Sequence, residues 1–300
     1  MARPPNIAGW GQDAGDRRGR GRGFFFRLAR HYTPIVVSDV GTRTYYVHAR
    51  DRSSIGLPLF RLGERADDRE DLAQIRALLD AHGQPTHPTF IDIGANIGTS
   101  TIEALASGMF AEAVAVEPDS ANYHLLTQNL HVNELADHVR TLDVAISDHD
   151  GAATLALGSE DSLGDYRLQD DLGHSTAVVR TMTFDSFVQQ CDVDLETVGL
   201  VWIDTQVHEG HVLSGARSLV EAGIPTFAEF WPAGMRDVRG YERFLEHAAT
   251  GWLHFAAMDA WMPARAEPRL EPIDRLAALR RALPVNDQAH TNVLLLRLHG

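Results

Sequence analysis

Short apolar runs alternate with stretches of helical spacing from residue 89 to the end of the chain. Such runs, bounded by turn residues, are typical of buried strands. The sequence predicts seven strands, TFIDI 89–93, AVAVE 113–117, VRTLDVAI 139–146, GLVWID 199–204, PTFAEFW 225–231, WLHFAAM 252–258 and TNVLLLRL 291–298. Strands that alternate with helices form a mostly parallel sheet covered by helices on both faces. We therefore expect an α/β, doubly wound fold of the Rossmann-like kind.

The chain before residue 86 has a different pattern. Residues 1–23 are rich in glycine, arginine and proline, which predicts a disordered tail. Alternation over 35–50 predicts a β-hairpin, and the spacing of Leu72, Ile75 and Leu79 predicts a helix. We expect three parts: the tail 1–23, a hairpin and helix extension 24–85, and the main domain 86–300. Within the main domain, residues 151–182 predict a β excursion around a polar loop.

Composition excludes several classes of protein. Lysine is absent, so all 27 basic residues are arginine, which excludes Schiff-base enzymes, P-loop NTPases and ordinary protein kinases. The single cysteine, Cys191, excludes an internal disulfide and a multi-cysteine zinc site. The net charge of −14 disfavours a nucleic-acid substrate. No apolar run approaches the ~18 residues of a membrane span, and we expect a cytoplasmic protein.

A glycine turn joins the first strand of the main domain to its helix. In FIDIGANIGTST, the glycines Gly94 and Gly98 allow a tight turn close to a ligand. Glu117 ends the next strand, 19 residues after Gly98, which is the place of a carboxylate that accepts hydrogen bonds from ribose hydroxyls. These positions predict a nucleoside-binding site.

The residues around this turn favour a cationic nucleoside over a dinucleotide. Asn96 stands where the dinucleotide fingerprint has its second glycine, which lets a pyrophosphate approach the helix. Asp92, two residues before Gly94, would repel a pyrophosphate but suits a cation. S-adenosylmethionine carries an ammonium and a sulfonium and no phosphate, so it fits this pattern better than NAD.

Six segments carry a family resemblance: FIDIGANIGTST, AVAVEPD, LDVAISDHDG, TMTFDSF, VWIDTQVHEGHVLSGA and FAEFWP. In this order, from Phe90 to Trp231, they resemble the FkbM family of S-adenosylmethionine-dependent methyltransferases. The resemblance implies a seven-stranded sheet whose last strand is antiparallel. It also implies methyl transfer to a hydroxyl of a sugar or secondary metabolite.

The same resemblance implies a set of cofactor contacts. Residues of the glycine turn, Asp92, Gly94, Ala95 and Asn96, would hold the methionine part, and Glu117 would bind the ribose. Asp143 and Ala145 would face the adenine, although Asp143 is also explained as a turn residue.

The acceptor side is predicted at the end of the fourth strand. Asp204 lies where catalytic residues of this fold project, and His208 and Glu209 follow at a helix start. A hydroxyl acceptor must lose its proton, so we expect Asp204 to orient the acceptor and His208 to act as base, with a rate that rises near the pKa of imidazole. Both residues also have a structural alternative at the helix start, Asp204 as a capping residue and Glu209 as an acid that favours the helix N-terminus. HEGH lacks the spacing of a zinc protease, and we expect no metal.

Two residues depart from the family pattern. Val207 stands in place of glycine, and a β-branched residue resists positive φ, so we expect this turn to be reshaped or not left-handed. Gln206 stands where many members have glutamate and cannot act as a base. Nearby, Phe230 and Trp231 are compatible with either an acceptor pocket or the core.

Two alternatives to methyl transfer stay open from the sequence. One is a nicotinamide-dependent oxidoreductase on a similar sheet, which the glycine turn disfavours. The other is a catalytically silent cofactor-binding protein, which the departures at Gln206 and Val207 leave possible. We expect the acceptor to be a small molecule or a saccharide.

Overall fold

The computed structural model describes residues 15–51, 55–62, 66–85, 87–156, 167–168, 176–258, 268–283 and 289–298. The strands are β1 Ile35–Val40, β2 Arg43–His48, β3 Thr89–Ile93, β4 Glu112–Val116, β5 Val139–Leu142, β6 Ala145–Ser147, β7 Gly151–Ala156, β8 Arg167–Leu168, β9 Thr176–Thr183, β10 Val198–Ile203, β11 Thr226–Phe230, β12 His254–Ala257, β13 Leu270–Pro272 and β14 Thr291–Leu296.

The α-helices are α1 Gly15–Ala29, α2 Gly56–Leu62, α3 Ala66–Ala81, α4 Thr99–Ala106, α5 Ser120–Val132, α6 Phe184–Cys191, α7 Glu209–Ser214, α8 Arg217–Ala222, α9 Pro232–Asp237, α10 Tyr241–Gly251 and α11 Leu276–Leu279. Short 3₁₀ helices span Ala136–His138, Leu195–Thr197 and Ile273–Arg275. No helix in the described ranges is long and apolar enough to cross a membrane.

The large sheet has the strand order β13-β12-β14-β11-β10-β3-β4-β5. The strands β11, β10, β3, β4 and β5 are parallel, whereas β14 runs antiparallel between β11 and β12. This confirms the predicted α/β fold and the antiparallel last strand. The order reverses between β3 and β10, and ligands of such sheets bind outside the carboxyl ends of the strands at this point.

Two strand predictions need correction. The sheet has eight described strands rather than seven, because β13 pairs with the outer side of β12. Pro272 ends this short strand, and an edge is where a sheet tolerates proline. The predicted strand 139–146 is broken after Leu142, and its second half, β6, pairs with β9 in a separate four-stranded sheet with β7 and β8. This smaller sheet is the predicted β excursion.

Alternating residues of the parallel strands fill two hydrophobic layers. Ile91 and Ile93 face the layer built with α7, α8 and α10, whereas Phe90 faces the layer built with α3, α4 and α5. The second layer also contains Phe26, Tyr45 and other side chains of the N-terminal segment. The N-terminal extension therefore shares one core with the sheet.

The predicted hairpin is present as β1 and β2, and its edge is held by Asn129 of α5 and by Asn133, which caps the end of that helix. Asn129 Oδ1 accepts from the Tyr46 amide at 2.6 Å, and its Nδ2 donates to the Tyr46 and Ile97 carbonyls at 3.1 and 2.8 Å. One turn later, Asn133 makes the same pair of bonds with the backbone of Thr44, at 3.0 and 2.7 Å. These side chains pair with β2 as a neighbouring strand would, and Asn129 also reaches the loop that follows β3.

The predicted tail is helical in part. Helix α1 starts at Gly15, so the prediction of disorder is wrong for residues 15–23, while residues 1–14 lie outside the described ranges. Phe26 is fully buried and packs against Phe60 of α2, with ring centroids 5.3 Å apart. This tertiary contact overrides the low helix propensity of the glycines.

Candidate functional site

The glycine turn lies over the switch point of the sheet. Gly94 and Gly98 have φ values of +91° and +90°, and Asn96 lies in the left-handed region at +52°. A Cβ on Gly94 would lie 1.9 Å from the carbonyl oxygen of Asp204, so a side chain cannot be accommodated there. The glycine therefore allows the loop after β3 to pack directly on the end of β10.

A cleft opens beside this turn, with a volume of about 520 Å³ including its opening to solvent. Its lining joins the ends of β3, β4 and β10 to the start of the smaller sheet. The lining residues are Ile93, Gly94, Asn96, Val116, Glu117, Pro118, Val144, Ala145, Ile146, Leu155, Asp204, Thr205, Gln206 and His208.

Glu117 faces the glycine turn from the end of β4, as the sequence predicts. Its Oε2 accepts from the Asn96 amide at 2.9 Å, and its Oε1 accepts from the Asp119 amide at 2.8 Å. The carboxyl is 4% exposed, and burial raises its pKa to about 8 despite these hydrogen bonds. Glu117 thus borders the cleft and fixes the shape of the turn.

Asp92 lies outside the cleft lining. Its Oδ2 accepts from the hydroxyls of Ser100 and Thr101 at 2.6 and 2.5 Å, at the start of α4. Its Oδ1 is buried and has no hydrogen-bond partner among the described residues. Burial raises the pKa of Asp92 to about 7. The structure thus places a buried carboxyl with one unsatisfied oxygen at the end of β3.

The other cofactor residues predicted from the sequence separate into two groups. Gly94, Asn96 and Ala145 line the cleft, whereas Ala95 is buried in the core and Gly98 is the N-cap of α4. Asp143 is exposed and is absent from the lining, because the chain leaves the large sheet at this residue. Its neighbours Val144, Ala145 and Ile146 provide an apolar wall instead.

The end of β10 brings the predicted acceptor residues together. Asp204 is half-buried in the cleft, where its Oδ1 accepts from Gln206 Nε2 at 2.9 Å. Glu209 is fully buried, and its Oε1 accepts from the amide and hydroxyl of Thr205 at 2.9 and 3.1 Å. Its Oε2 has no partner among the described residues, and burial raises its pKa to about 7. Glu209 thus stabilises the turn by accepting hydrogen bonds from Thr205, and it does not line the cleft.

The turn at Val207 is left-handed, so the expectation that valine would reshape it is wrong. Gln206 and Val207 have φ values of +51° and +78°. Val207 is 2% exposed, and a Cβ on Gly234 would lie 2.4 Å from its Cγ1. The missing side chain at Gly234 makes room for Val207, and this packing offsets the backbone strain.

His208 lies at the inner wall of the cleft within a polar cluster. Its Nε2 lies 3.0 Å from Ser147 Oγ, and its Nδ1 is buried without a partner among the described residues. The ring stacks on His211, with centroids 4.4 Å apart. Burial and the adjacent His211 lower the pKa of His208 to about 3, so the ring is neutral. This lowered pKa does not favour the expected rise of rate near the pKa of imidazole, and that expectation stays a prediction to be tested by the pH–rate profile.

Asp148 connects this cluster to the surface. Its Oδ2 lies 3.2 Å from His211 Nδ1 and accepts from Arg243 at 2.5 Å, while His149 Nδ1 lies 2.8 Å from Oδ1. Burial alone would raise its pKa, but these partners hold the pKa well below the usual range. Sequence reasoning missed Ser147 and Asp148. The polar run SDHD after an apolar segment is the signal in the sequence that could have indicated them.

The aromatic residues after β11 belong to the core. Phe230 is fully buried between Tyr241 and Phe244, with ring centroids 6.0 and 5.6 Å away, and Trp231 is 6% exposed. Neither residue lines the cleft. In the described part of the chain, no group of three or more histidine, cysteine, aspartate or glutamate side chains is arranged to hold a metal ion.

Comparison with protein families identifies the domain that carries this site. The model of the methyltransferase FkbM domain matches residues 92–266, more than half of the chain. The chain belongs to the FkbM methyltransferase family. The match contains the glycine turn, Glu117 and the acceptor turn at 204–209. A search of curated proteins finds no match.

Solved structures similar to this FkbM chain share little sequence with it. The methyltransferase FkbM from Methylobacillus flagellatus is 13% identical with a TM-score of 0.42, over 70% of this chain and 44% of that one. The O-methyltransferase from Bacillus cereus, in complex with SAH, is 15% identical with a TM-score of 0.43, over 78% and 82%. TomG from Streptomyces achromogenes, an O-methyltransferase in complex with SAM, is 11% identical with a TM-score of 0.41, over 76% and 79%.

Proposed function

We propose that this FkbM-family protein is an S-adenosylmethionine-dependent methyltransferase that methylates a hydroxyl of a sugar or secondary metabolite. The observation that carries the proposal is the acidic lining of the cleft, where a cationic ligand would favour the ionised form of Glu117, whose pKa burial raises to about 8. Glu117 and Asp204 line the cleft, and none of the described lining residues is an arginine. Such a lining disfavours a pyrophosphate and favours a cationic nucleoside.

Two buried carboxyls next to the cleft strengthen this interpretation. Asp92 and Glu209 each keep one oxygen without a partner among the described residues, and burial raises the pKa of both to about 7. A buried carboxylate is costly without a positive charge nearby. The ammonium and sulfonium of S-adenosylmethionine are positively charged, so Asp92 and Glu209 suit a site that binds this cofactor.

Each part of the cleft has a proposed role in binding. Glu117 accepts hydrogen bonds from the ribose hydroxyls, and the wall of Val144, Ala145 and Ile146 packs on the adenine. Gly94 and Asn96 lie along the methionine part. The buried carboxyl of Asp92 attracts the positive charge of the methionine part without contacting it. Asp143 is exposed and contributes least to cofactor binding.

The proposed acceptor site is the opposite wall, formed by Asp204 and His208. When bound, S-adenosylmethionine supplies an electrophilic methyl group. Asp204 accepts a hydrogen bond from the acceptor hydroxyl and orients its oxygen for in-line attack. His208 is neutral and accepts the hydroxyl proton on Nδ1, while Ser147 holds the ring through Nε2. Glu209 keeps the turn that presents both residues in place.

The test is an acceptor screen with isotopically labelled methyl donor and the full chain. We expect label to appear in hydroxylated sugars or secondary metabolites, with one equivalent of S-adenosylhomocysteine for each methyl group transferred. Binding of S-adenosylmethionine without transfer to any acceptor would favour a silent cofactor-binding protein. Binding of NAD in its place would favour an oxidoreductase.

A further inference from the structure

Helix α1 presents apolar side chains to solvent. Phe24 and Phe25 are 65% and 63% exposed, and Leu28 and, just after the helix, Tyr32 are 43% and 82% exposed. Phe24 and Leu28 are four residues apart, so they lie on the same face of the helix. This exposed face is defined here as Phe24, Phe25, Leu28 and Tyr32. Phe24 and Phe25 contact each other, with ring centroids 6.0 Å apart. Large apolar side chains exposed together are typical of an interaction site.

The helix is held rigidly enough to present this face. On its opposite side, the fully buried Phe26 packs against Phe60. The guanidinium of Arg22 lies over the Phe60 ring, 5.4 Å from its centroid. Phe26 already makes the contacts of α1 with the core, so Phe24 and Phe25 are not needed to pack this helix.

The charge around the exposed face is opposite to that of the rest of the molecule. Residues 15–32 contain six arginines and one aspartate, in a chain whose net charge is −14. Arg27, between Phe26 and Leu28, is exposed. Aromatic and aliphatic side chains flanked by arginines are the composition of helices that lie in the interface of a bilayer, where anionic headgroups attract the basic residues.

We propose that the exposed face of α1 binds the surface of a membrane containing anionic lipids. Phe24, Phe25 and Leu28 enter the headgroup region, and the arginines of α1 neutralise lipid phosphates. The proposal does not depend on the methyltransferase activity. A nucleic acid would be bound by the arginines without need of Phe24. A second copy of the chain, whose net charge is −14, would offer acidic groups to the arginines, and the test below distinguishes this outcome by the oligomeric state.

The test is cosedimentation of the full chain with vesicles. We compare phosphatidylcholine vesicles with vesicles that contain about one third phosphatidylglycerol. Binding to the anionic vesicles is expected to be at least about tenfold tighter and to weaken as salt screens the arginines. The double variant Phe24→Ser, Phe25→Ser is expected to bind roughly tenfold or more weakly, because it loses apolar burial.

A matched control removes exposed apolar side chains elsewhere. Val178 and Leu253 are 80% and 53% exposed, and the double variant Val178→Ser, Leu253→Ser should bind vesicles as the parent does. Circular dichroism and thermal unfolding verify that all variants fold. Equal affinity for both vesicle types, or unchanged binding of the Phe24→Ser, Phe25→Ser variant, overturns the proposal. The proposal is also overturned if vesicles are not bound and the parent forms an oligomer that the Phe24→Ser, Phe25→Ser variant does not form. It is likewise overturned if vesicles are not bound and both the parent and this variant bind single-stranded RNA.

Discussion

His208 shows how burial changes the chemistry of a single residue. With its pKa lowered to about 3, the ring stays neutral across the working range of most enzymes and is a weak proton acceptor. Its position compensates, because Ser147 orients the ring and Nδ1 is left without a partner among the described residues. In the proposed mechanism, His208 therefore acts by its position more than by its basicity.

Replacement of His208 tests this role. His208→Ala is expected to lower kcat at saturating cofactor by roughly 10²-fold, the lower end of the usual worth of a general base. In the parent enzyme, kcat should show no titration near pH 6.5, because the neutral form of His208 is present throughout. His149→Ala is the control, since this exposed ring also contacts Asp148 but lies away from the cleft. Normal turnover of His208→Ala, or a titration near pH 6.5 that this variant abolishes, would contradict the assignment.

At the scale of elements, Asn129 links the N-terminal hairpin to the glycine turn. It is fully buried and bonds both the backbone of β2 and the carbonyl of Ile97. Asn129→Ala removes the hydrogen bonds to the half-buried Tyr46 amide and to these carbonyls. It should lower the free energy of unfolding by about 2–4 kcal/mol and accelerate hydrogen exchange at Tyr46.

Asn133→Ala is the matched control for this coupling. Asn133 makes the same contacts with Thr44 but does not reach the glycine turn. Both variants should loosen the hairpin, whereas Asn129→Ala alone should weaken cofactor binding, measured by calorimetry. Equal cofactor affinity in both variants would show that the hairpin and the turn are independent.

The elements that the sequence predicts are those with local signals. The strands around the switch point are continuous apolar runs, and the glycine turn and Glu117 follow from spacing along one strand–helix–strand unit. Contacts between distant segments leave no such pattern. Ser147 meets His208 across 61 residues of sequence, and α1 forms because Phe26 finds Phe60. The break at Asp143 was missed because residues 139–146 are apolar enough for one continuous strand.

The charge balance of the whole molecule gives a pH dependence of stability. Burial raises the pKa of Asp92 and Glu209 to about 7 and that of Glu117 to about 8. The folded chain therefore holds more protons than the unfolded chain between about pH 4 and these values, and stability falls as pH rises through 7 to 8. His208 has the opposite effect, since its lowered pKa reduces stability as pH falls from about 6.5 towards 3.

Thermal unfolding of the cofactor-free chain measures this balance. Between pH 6 and 9 the three carboxyls outweigh His208, which is already mostly neutral, so Tm should be lower at pH 9. Glu117→Gln should reduce the difference, because it removes the group with the highest raised pKa. Saturating S-adenosylmethionine should also reduce the difference in Tm between pH 6 and pH 9, because its positive charges stabilise the ionised forms of the buried carboxyls. A Tm that is unchanged or higher at pH 9 would contradict the charge assignment.

Metal independence is a second expectation for the whole enzyme. The proposed roles of Asp204 and His208 require no metal ion. Methyl transfer should therefore keep its rate in the presence of a chelator such as EDTA, once an acceptor is known. Loss of turnover that magnesium restores would instead assign the oxygen atoms of Asp204, Glu209 and Glu229 to a hard cation.

The most direct test of the account is a calorimetric titration of the chain with S-adenosylmethionine and, separately, with NAD. We predict binding of S-adenosylmethionine and none of NAD. Because Glu117→Ala removes the acceptor proposed for the ribose hydroxyls, we predict a roughly 10- to 150-fold weaker affinity in that variant. Tighter binding of NAD, or unchanged affinity for S-adenosylmethionine in Glu117→Ala, would contradict the assignment of the cleft.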